Sequence, residues 1–369
     1  MCSSDLAEAP PGADEDRVRR GRVLRFPRDH GAHPGSAIEW WYLTGALWPA
    51  GADTTAQPPR WGFQLTFFRS ATGLAATLPG RLAPRQLLFA HVAVTDLTRR
   101  QHRHEQRLAR WNGESTEGVA WASREDTGVR LGRWVLLRNG PLRQGQPVPM
   151  YSVSVPADAL ALSLSVAPRH NGPALLLQGE QGFSRKGPAE AQASHYYSVP
   201  QLHAAGDLQV GGERFADVQG VAWLDHEWSD HLLAPEAQGW DWIGMNLDDG
   251  SALTAFQLRR RDGGVLWTGG SWRDPQGRLR VFGPDELRWT PGRTWSSPAS
   301  GARYPVAWQL DTPVGRFGVR SMLDDQEMDS RASTGTTYWE GLSALDDAQG
   351  RRVGWGYLEM TGYQGRLAL

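Results

Sequence analysis

The sequence predicts an all-β protein built from two copies of one antiparallel, barrel-like unit, and two observations carry that expectation. Runs of five to eleven residues, alternating or rich in aromatic and β-branched side chains and bounded by turn residues, follow one another along most of the 369 residues. Few windows show a helical period with caps, which leaves room for a short helix or two. The second observation is an internal repeat. Trp40-Trp41-Tyr42-Leu43-Thr44-Gly45 followed by Gly62-Phe63-Gln64-Leu65 echoes Trp240-Asp241-Trp242-Ile243-Gly244 followed by Ala255-Phe256-Gln257-Leu258, and both second segments run on to an arginine. Likewise His195-Tyr196-Tyr197-Ser198 echoes Tyr338-Trp339-Glu340-Gly341, and Ala222-Trp223-Leu224-Asp225 echoes Gly356-Tyr357-Leu358-Glu359. The copies break near residues 233–238, giving a disordered tail at 1–22, a first unit at 23–233 and a second at 236–369.

Composition narrows the function. With 40% hydrophobic and 21% charged residues the chain is globular, and it is long enough to bury two cores. A net charge of -1 supplies no field to gather nucleic acid or an anionic membrane. Of the 39 basic side chains only Lys186 is a lysine, a coding bias rather than a set of phosphate-binding arginines. Cys2 stands alone, so no intramolecular disulfide or cysteine metal site is expected. No apolar run approaches the roughly 20 residues that cross a bilayer. The N-terminus has no apolar signal core, but its opening MCSSDL looks like translated adapter joined to a shortened gene.

In chain order, residues 7–22 are too polar and charged to order themselves. The stretch FPRDHGAHPG at 26–35 reads as an ordered loop leading into a strand, with His30 and His33 structural rather than metal ligands. Strands follow at 38–47, 61–69, 87–96, 128–138, 150–156, 160–168 and 174–182, and Glu39 caps or pairs at the start of the first. The chemistry concentrates in residues 220–260. There Asp225, His226, Glu227, Asp230, His231 and Asp241 lie among Trp223, Trp228, Trp240 and Trp242, surroundings that desolvate ionisable groups and shift their pKa values. VAWLDHEW and DWIGMNL alternate as strands, with a loop carrying Pro235 and Gly239 between them. In the second copy Met360 and Thr361 replace His226 and Glu227, so the titratable pair serves something beyond folding.

Taken together, EWWYLTG after FPRDHGAHP, then AHVAVTD, HYYS, WLDHEWSDHLL, GWDWIGMNLDDG, YWEG and GYLEMTGY, resemble the AttH-like proteins, often labelled predicted secreted hydrolases. These are distantly related to carotenoid 1,2-hydratases and fungal lipocalin-like pericyclases. The resemblance covers about residues 26–363. It implies two tandem lipocalin-like antiparallel β-barrels, a ligand site in or between them, and a periplasmic or secreted protein. Its implied partner is a large hydrophobic small molecule, isoprenoid- or lipid-like. The carotenoid branch adds water to an isolated double bond through His, Trp, Tyr and Asp side chains, and here His226-Glu227-Trp228 offers the His-x-Trp and Asp241 a carboxyl.

Hydration needs a strong acid to protonate carbon, stabilisation of the resulting cation and a positioned water. The catalytic candidates are Asp225, His226, Glu227 and Asp241, with Trp41, His91, Tyr196, Trp228 and Trp242 on the ligand. Asp225, His226, Glu227 and Trp228 are expected to border one cavity, whereas a strand points Asp241 away from Trp240 and Trp242. The alternatives are a buried polar network closing one barrel on the other, and a non-catalytic lipocalin-like carrier. A serine hydrolase has no Gly-x-Ser-x-Gly elbow, since Gly269-Gly270-Ser271-Trp272-Arg273 fails at its last position. No Walker loop, dinucleotide fingerprint or His-Glu-x-x-His occurs, and neither a metal nor another cofactor is expected.

Overall fold

The structure, a computed structural model, describes residues 15–73, 85–114, 116–138, 150–169 and 175–367. Its first half carries β1 (Ile38–Trp48), β2 (Trp61–Ala71), β3 (Gln86–Asp96), β4 (Gln101–Trp111), β5 (Ala120–Ala122), β6 (Gly128–Leu131), β7 (Trp134–Arg138), β8 (Tyr151–Pro156), β9 (Leu160–Pro168), β10 (Leu176–Leu177), β11 (Phe183–Arg185), β12 (Ala193–Val210) and β13 (Glu213–Ser229). The second half carries β14 (Ala237–Leu247), β15 (Ala252–Arg260), β16 (Val265–Arg273), β17 (Leu279–Phe282), β18 (Arg288–Pro291), β19 (Thr294–Ser296), β20 (Arg303–Pro305), β21 (Ala307–Thr312), β22 (Gly315–Ser321), β23 (Glu327–Asp329), β24 (Thr337–Asp346) and β25 (Arg352–Met360). A single turn of helix, Arg331–Thr334, interrupts them. Among the described residues no helix is long and apolar enough to cross a membrane.

The first sheet runs β4-β3-β2-β1-β13-β12-β9-β8-β7-β6-β5 and curls until β4 returns beside β5 and β6, a nearly closed antiparallel barrel. The second runs β17-β16-β15-β14-β25-β24-β22-β21-β18. In each half a first strand lies between its hairpin partner and the last strand of the unit, β1 between β2 and β13, β14 between β15 and β25. The registers match as well. Trp41 faces His226 across the ladder as Asp241 faces Met360, and Tyr42 faces Asp225 as Trp242 faces Glu359. Arg69 and Arg259 fall at the same place in the two ladders, opposite Glu39 and Gly239. The echo between Gly62–Leu65 and Ala255–Leu258 is out of step by three, for Gln257 pairs like Phe67 rather than Gln64.

Strand alternation sorts the apolar side chains into three cores. Trp41, Leu43, Phe63, Leu65 and Trp228 fill the first barrel, and Ile243, Met245, Trp339, Leu358 and Met360 pack the second sheet. The opposite faces of the same strands present Tyr42, Trp48, Trp223, Trp242, Phe256 and Tyr357 to one another between the two bodies. Strands β1, β14 and β24, and β13 from Val218 onward, are thus buried on both faces, which explains their near-continuous burial.

Some elements depart from the sequence reading. The strand expected at 128–138 is a hairpin turning at Gly132, whose φ of +64° suits glycine. The one expected at 174–182 is reduced to Leu176–Leu177, with residue 174 outside the described residues, and Gly239 belongs to β14 rather than a loop. Residues 15–22, assigned to the disordered tail, are mostly exposed but anchored to the fold: Asp16 is buried, pairs with Arg28 at 2.9 Å and accepts the Gly35 amide, and the Val18 amide donates to Asp230. Their charges find partners in the fold, so burial becomes affordable. The rest of the tail lies outside the described residues.

Gly220 shows how tightly the barrel is drawn. A Cβ there would sit 1.8 Å from the Ala46 carbonyl of β1, and its counterpart Gly354 meets the Asn246 carbonyl at 2.6 Å. Gly220→Ala is expected to pry β1 from β13 and cost about 3 kcal/mol, read as a lower unfolding midpoint in denaturant.

Candidate functional site

Between the outer faces of the two bodies lies a cavity of about 460 Å³. Trp40, Phe68, Trp240, Trp242, Phe256 and Leu258 give it aromatic and apolar walls, and Asp225, Glu227, Glu340, Glu359, His91 and Lys186 its polar points. Strand β13 supplies Asp225 and Glu227, two residues apart and therefore on one face. The same alternation sends His226 and Trp228 into the first barrel, so the four consecutive residues do not share one cavity.

Asp225 is buried and held from both sides. The Trp223 indole donates to Oδ1 at 2.7 Å, the Tyr196 hydroxyl donates to Oδ2 at 2.8 Å, and the Trp242 indole donates to that hydroxyl at 3.1 Å. Burial pushes its carboxyl up to about 7 against the opposing hydrogen bonds. Glu359 and Glu340 face each other across β25 and β24. Burial raises Glu359 to about 8, with Asp225 and Glu227 adding to it, while burial and the Glu359 charge raise Glu340 well above the carboxylate range. Tyr42 and Tyr338 are close enough to hydrogen-bond Glu340, which opposes that rise without cancelling it. Glu227 accepts from Ser194 and pairs with Lys186 at 3.0 Å.

The other candidates divide by face. Trp242 and His91 line the cavity, and Tyr196 stands behind it as the donor to Asp225. His91 lies 2.8 Å from the Tyr338 hydroxyl and 2.7 Å from Ser333 Oγ, and burial lowers it to about 3, so it is neutral. Asp241 points into the second sheet, where Gln257 and Arg259 donate to it at 2.8 Å and Tyr363 at 2.9 Å. Trp41 is inside the first barrel, stacked on His226.

His226 belongs to a second, separate cluster. Its Nε2 is 2.9 Å from Glu39 Oε1 and its Nδ1 3.1 Å from the Tyr197 hydroxyl, which also meets His30 at 2.7 Å. His33 bridges Glu39 at 2.7 Å and Asp29 at 3.0 Å and stacks on Trp228, while the Arg69 guanidinium donates to Glu39 at 2.8 Å. Burial alone would raise Glu39, but the His33 charge and the bonds from His226 and His33 hold it well below the usual range. Ligand atoms of His33, Glu39 and His226 converge within 4.8 Å, the one such group among the described residues. Each is already bonded within the network, and Arg69 supplies the positive charge that a metal would bring. Glu39 thus pairs at the strand start.

Sequence reasoning missed Glu340, Glu359, Lys186 and Tyr338. The two glutamates were visible within the echoed YWEG and GYLEM segments, and Lys186 as the single lysine.

Glu39→Gln would leave Arg69 buried and unpaired, so a loss of about 3–5 kcal/mol is expected in equilibrium unfolding. Glu359→Gln, on the cavity wall, is expected to cost far less or to stabilise above neutral pH. Its raised carboxyl binds a proton in the folded state that the unfolded chain has released between about pH 4.5 and 8, so stability falls with rising pH across that window and the amide removes the fall.

An AttH-like family model matches residues 17–363. The crystal structure of an AttH protein from Nitrosomonas europaea superposes with a TM-score of 0.81 and 42% identity, covering 94% of this chain and 99% of that one. Kievitone hydratase from Nectria haematococca superposes with a TM-score of 0.65 at 13% identity, over 94% and 95% of the two chains. The sequence of kievitone hydratase from Fusarium solani subsp. phaseoli is 24% identical over 175 residues, 46% of this chain, and the match spans about half of that relative, 49%.

Proposed function

Since the chain belongs to the AttH-like family, we propose that it is a hydratase whose inter-barrel cavity holds a large apolar molecule, isoprenoid- or lipid-like, and adds water across one of its double bonds with Asp225 as the acid. The observation that carries this reading is a carboxyl group raised to about 7 on the wall of an aromatic cavity. Protonating an alkene carbon demands an acid that remains protonated at working pH, and desolvation supplies one. The carboxylate left behind keeps its two donors, Trp223 and Tyr196, which stabilise it once the proton has gone. The cation formed on the ligand meets the ring faces of Trp40, Trp240 and Trp242, each worth about 0.5–2 kcal/mol. Kinship with kievitone hydratase supports the reaction class, and the apolar walls support the ligand class.

Asp225→Asn keeps the shape, and its amide oxygen can accept from the Trp223 indole, but its NH2 can neither accept from Tyr196 nor protonate carbon, so turnover is expected to fall about 10²–10⁴-fold with ligand affinity retained. In the wild type, activity should decline as pH rises through about 7, because the acid must be protonated, and this limb should vanish in the variant. Isoprenoid, polyene and fatty-acid substrates are the ones to assay. If Asp225→Asn, Glu340→Gln and Glu359→Gln all stay within a few-fold of wild type, or nothing turns over while ligand binds, carriage of a hydrophobic ligand becomes the function.

A further inference from the structure

Lys186 is the single lysine among 39 basic side chains, and it lines the cavity, where no arginine does among the described residues. It follows β11 in a turn closed by its own amide donating to the Gln192 carbonyl at 2.7 Å. Its neighbour Arg185 is fixed by donating to the Gly187 and Pro188 carbonyls and by lying over the Trp267 ring at 4.9 Å. The ammonium is 3.0 Å from Glu227 Oε1 and 3.2 Å from Ser184 Oγ, and it faces the Phe256 and Tyr196 rings at 4.2 and 4.7 Å.

Resting on the hydration reading, we propose that Lys186 is a positioning residue that keeps Glu227 a carboxylate with one oxygen left to hold the attacking water. Lys186 and Ser194 both bond Oε1, and no described group bonds Oε2. An ammonium is a point donor that occupies one carboxylate oxygen, whereas a guanidinium fork takes both. That difference accounts for a lysine here in a chain that uses arginine everywhere else. The other titratable groups around Glu227 are Asp225 on its own strand, Tyr196 on β12 and Glu359 on β25, with His91 and His231 also on the cavity wall.

Asp225 and Glu227 project from the same face about 7 Å apart, the spacing of alternate strand residues. That leaves room for two bonded carbons and a water, as between paired carboxyls that activate water elsewhere. The Asp225 O–H bond breaks, and the alkene π electrons form the new C–H bond. A lone pair of the water on Glu227 then forms C–O at the adjacent cationic carbon, and Glu227 takes the released proton. The product is an alcohol with H and OH on one face of the former alkene. Return of the proton from Glu227 to Asp225 through solvent restores the site with no other reactant.

Infrared spectroscopy of the whole protein at pH 7 tests the first half of this proposal and kinetics the second. Lys186→Gln is expected to gain one protonated-carboxyl C=O band per chain beyond those that Asp225, Glu340 and Glu359 already give in wild type, and the Lys186→Gln/Glu227→Gln double variant to lack that added band. Lys186→Arg should show no added band, because the charge is kept, yet lose at least 10-fold in kcat with KM little changed. A Lys186→Gln spectrum identical to wild type, an added band that persists in the double variant, or full activity in Lys186→Arg overturns the role of Lys186 while leaving Asp225 as the acid. No turnover by the wild type removes the hydration reading itself, and this inference with it.

Discussion

Everything at the site depends on the two-residue period of β13 with both of its faces buried. Leu224, His226 and Trp228 go into the first barrel; Trp223, Asp225 and Glu227 go to the junction. A slip of one residue would exchange the two sets and put imidazole where the carboxyls stand. The register is pinned from inside by the Glu39 network and the stacking of His226 on Trp41, and from outside by the grip of Trp223 and Tyr196 on Asp225. The inner cluster does not line the cavity, yet it fixes where the outer carboxyls point.

The two faces treat carboxyl groups in opposite ways. Inside, burial alone would raise Glu39, but the His33 charge, the hydrogen bonds from His226 and His33, and the Arg69 charge hold it well below the usual carboxylate range. Outside, Asp225, Glu340 and Glu359 are equally desolvated with far fewer cations, and their proton affinity rises. What differs is compensation rather than depth. Proton affinity falls where several cationic groups meet a buried carboxyl and rises where indoles, phenols and other carboxyls do; Asp241 rises even beside Arg259, because its burial outweighs that one charge.

The strands and the repeat were legible in the sequence because alternation and aromatic content are local properties. Which face of 222–229 pointed where was not, since a period of two is symmetric between its faces until the partner strands are placed. His226 and Trp228 drew attention by their company with Asp225 and Glu227, but company in sequence is separation in a strand. Glu340 and Glu359 lay inside echoed segments that read as scaffold, and they reach Asp225 only through the docking of one sheet on the other. For Asp241 the expectation that it points away from Trp240 and Trp242 follows from the same period, and it sits opposite them. Residues 15–22 looked unfoldable because composition counts charges without their partners, and Arg28 and the Gly35 amide are what bury Asp16.

The cavity is walled by the convex outsides of two bodies, not hollowed from the inside of either. Trp40, Phe68, Trp240 and Phe256 are therefore replaceable without opening a hole in the packing around Trp41 or Met245, and each body stays intact while the chamber changes shape. The architecture survives at 13% identity in kievitone hydratase, the degree of divergence such a division permits.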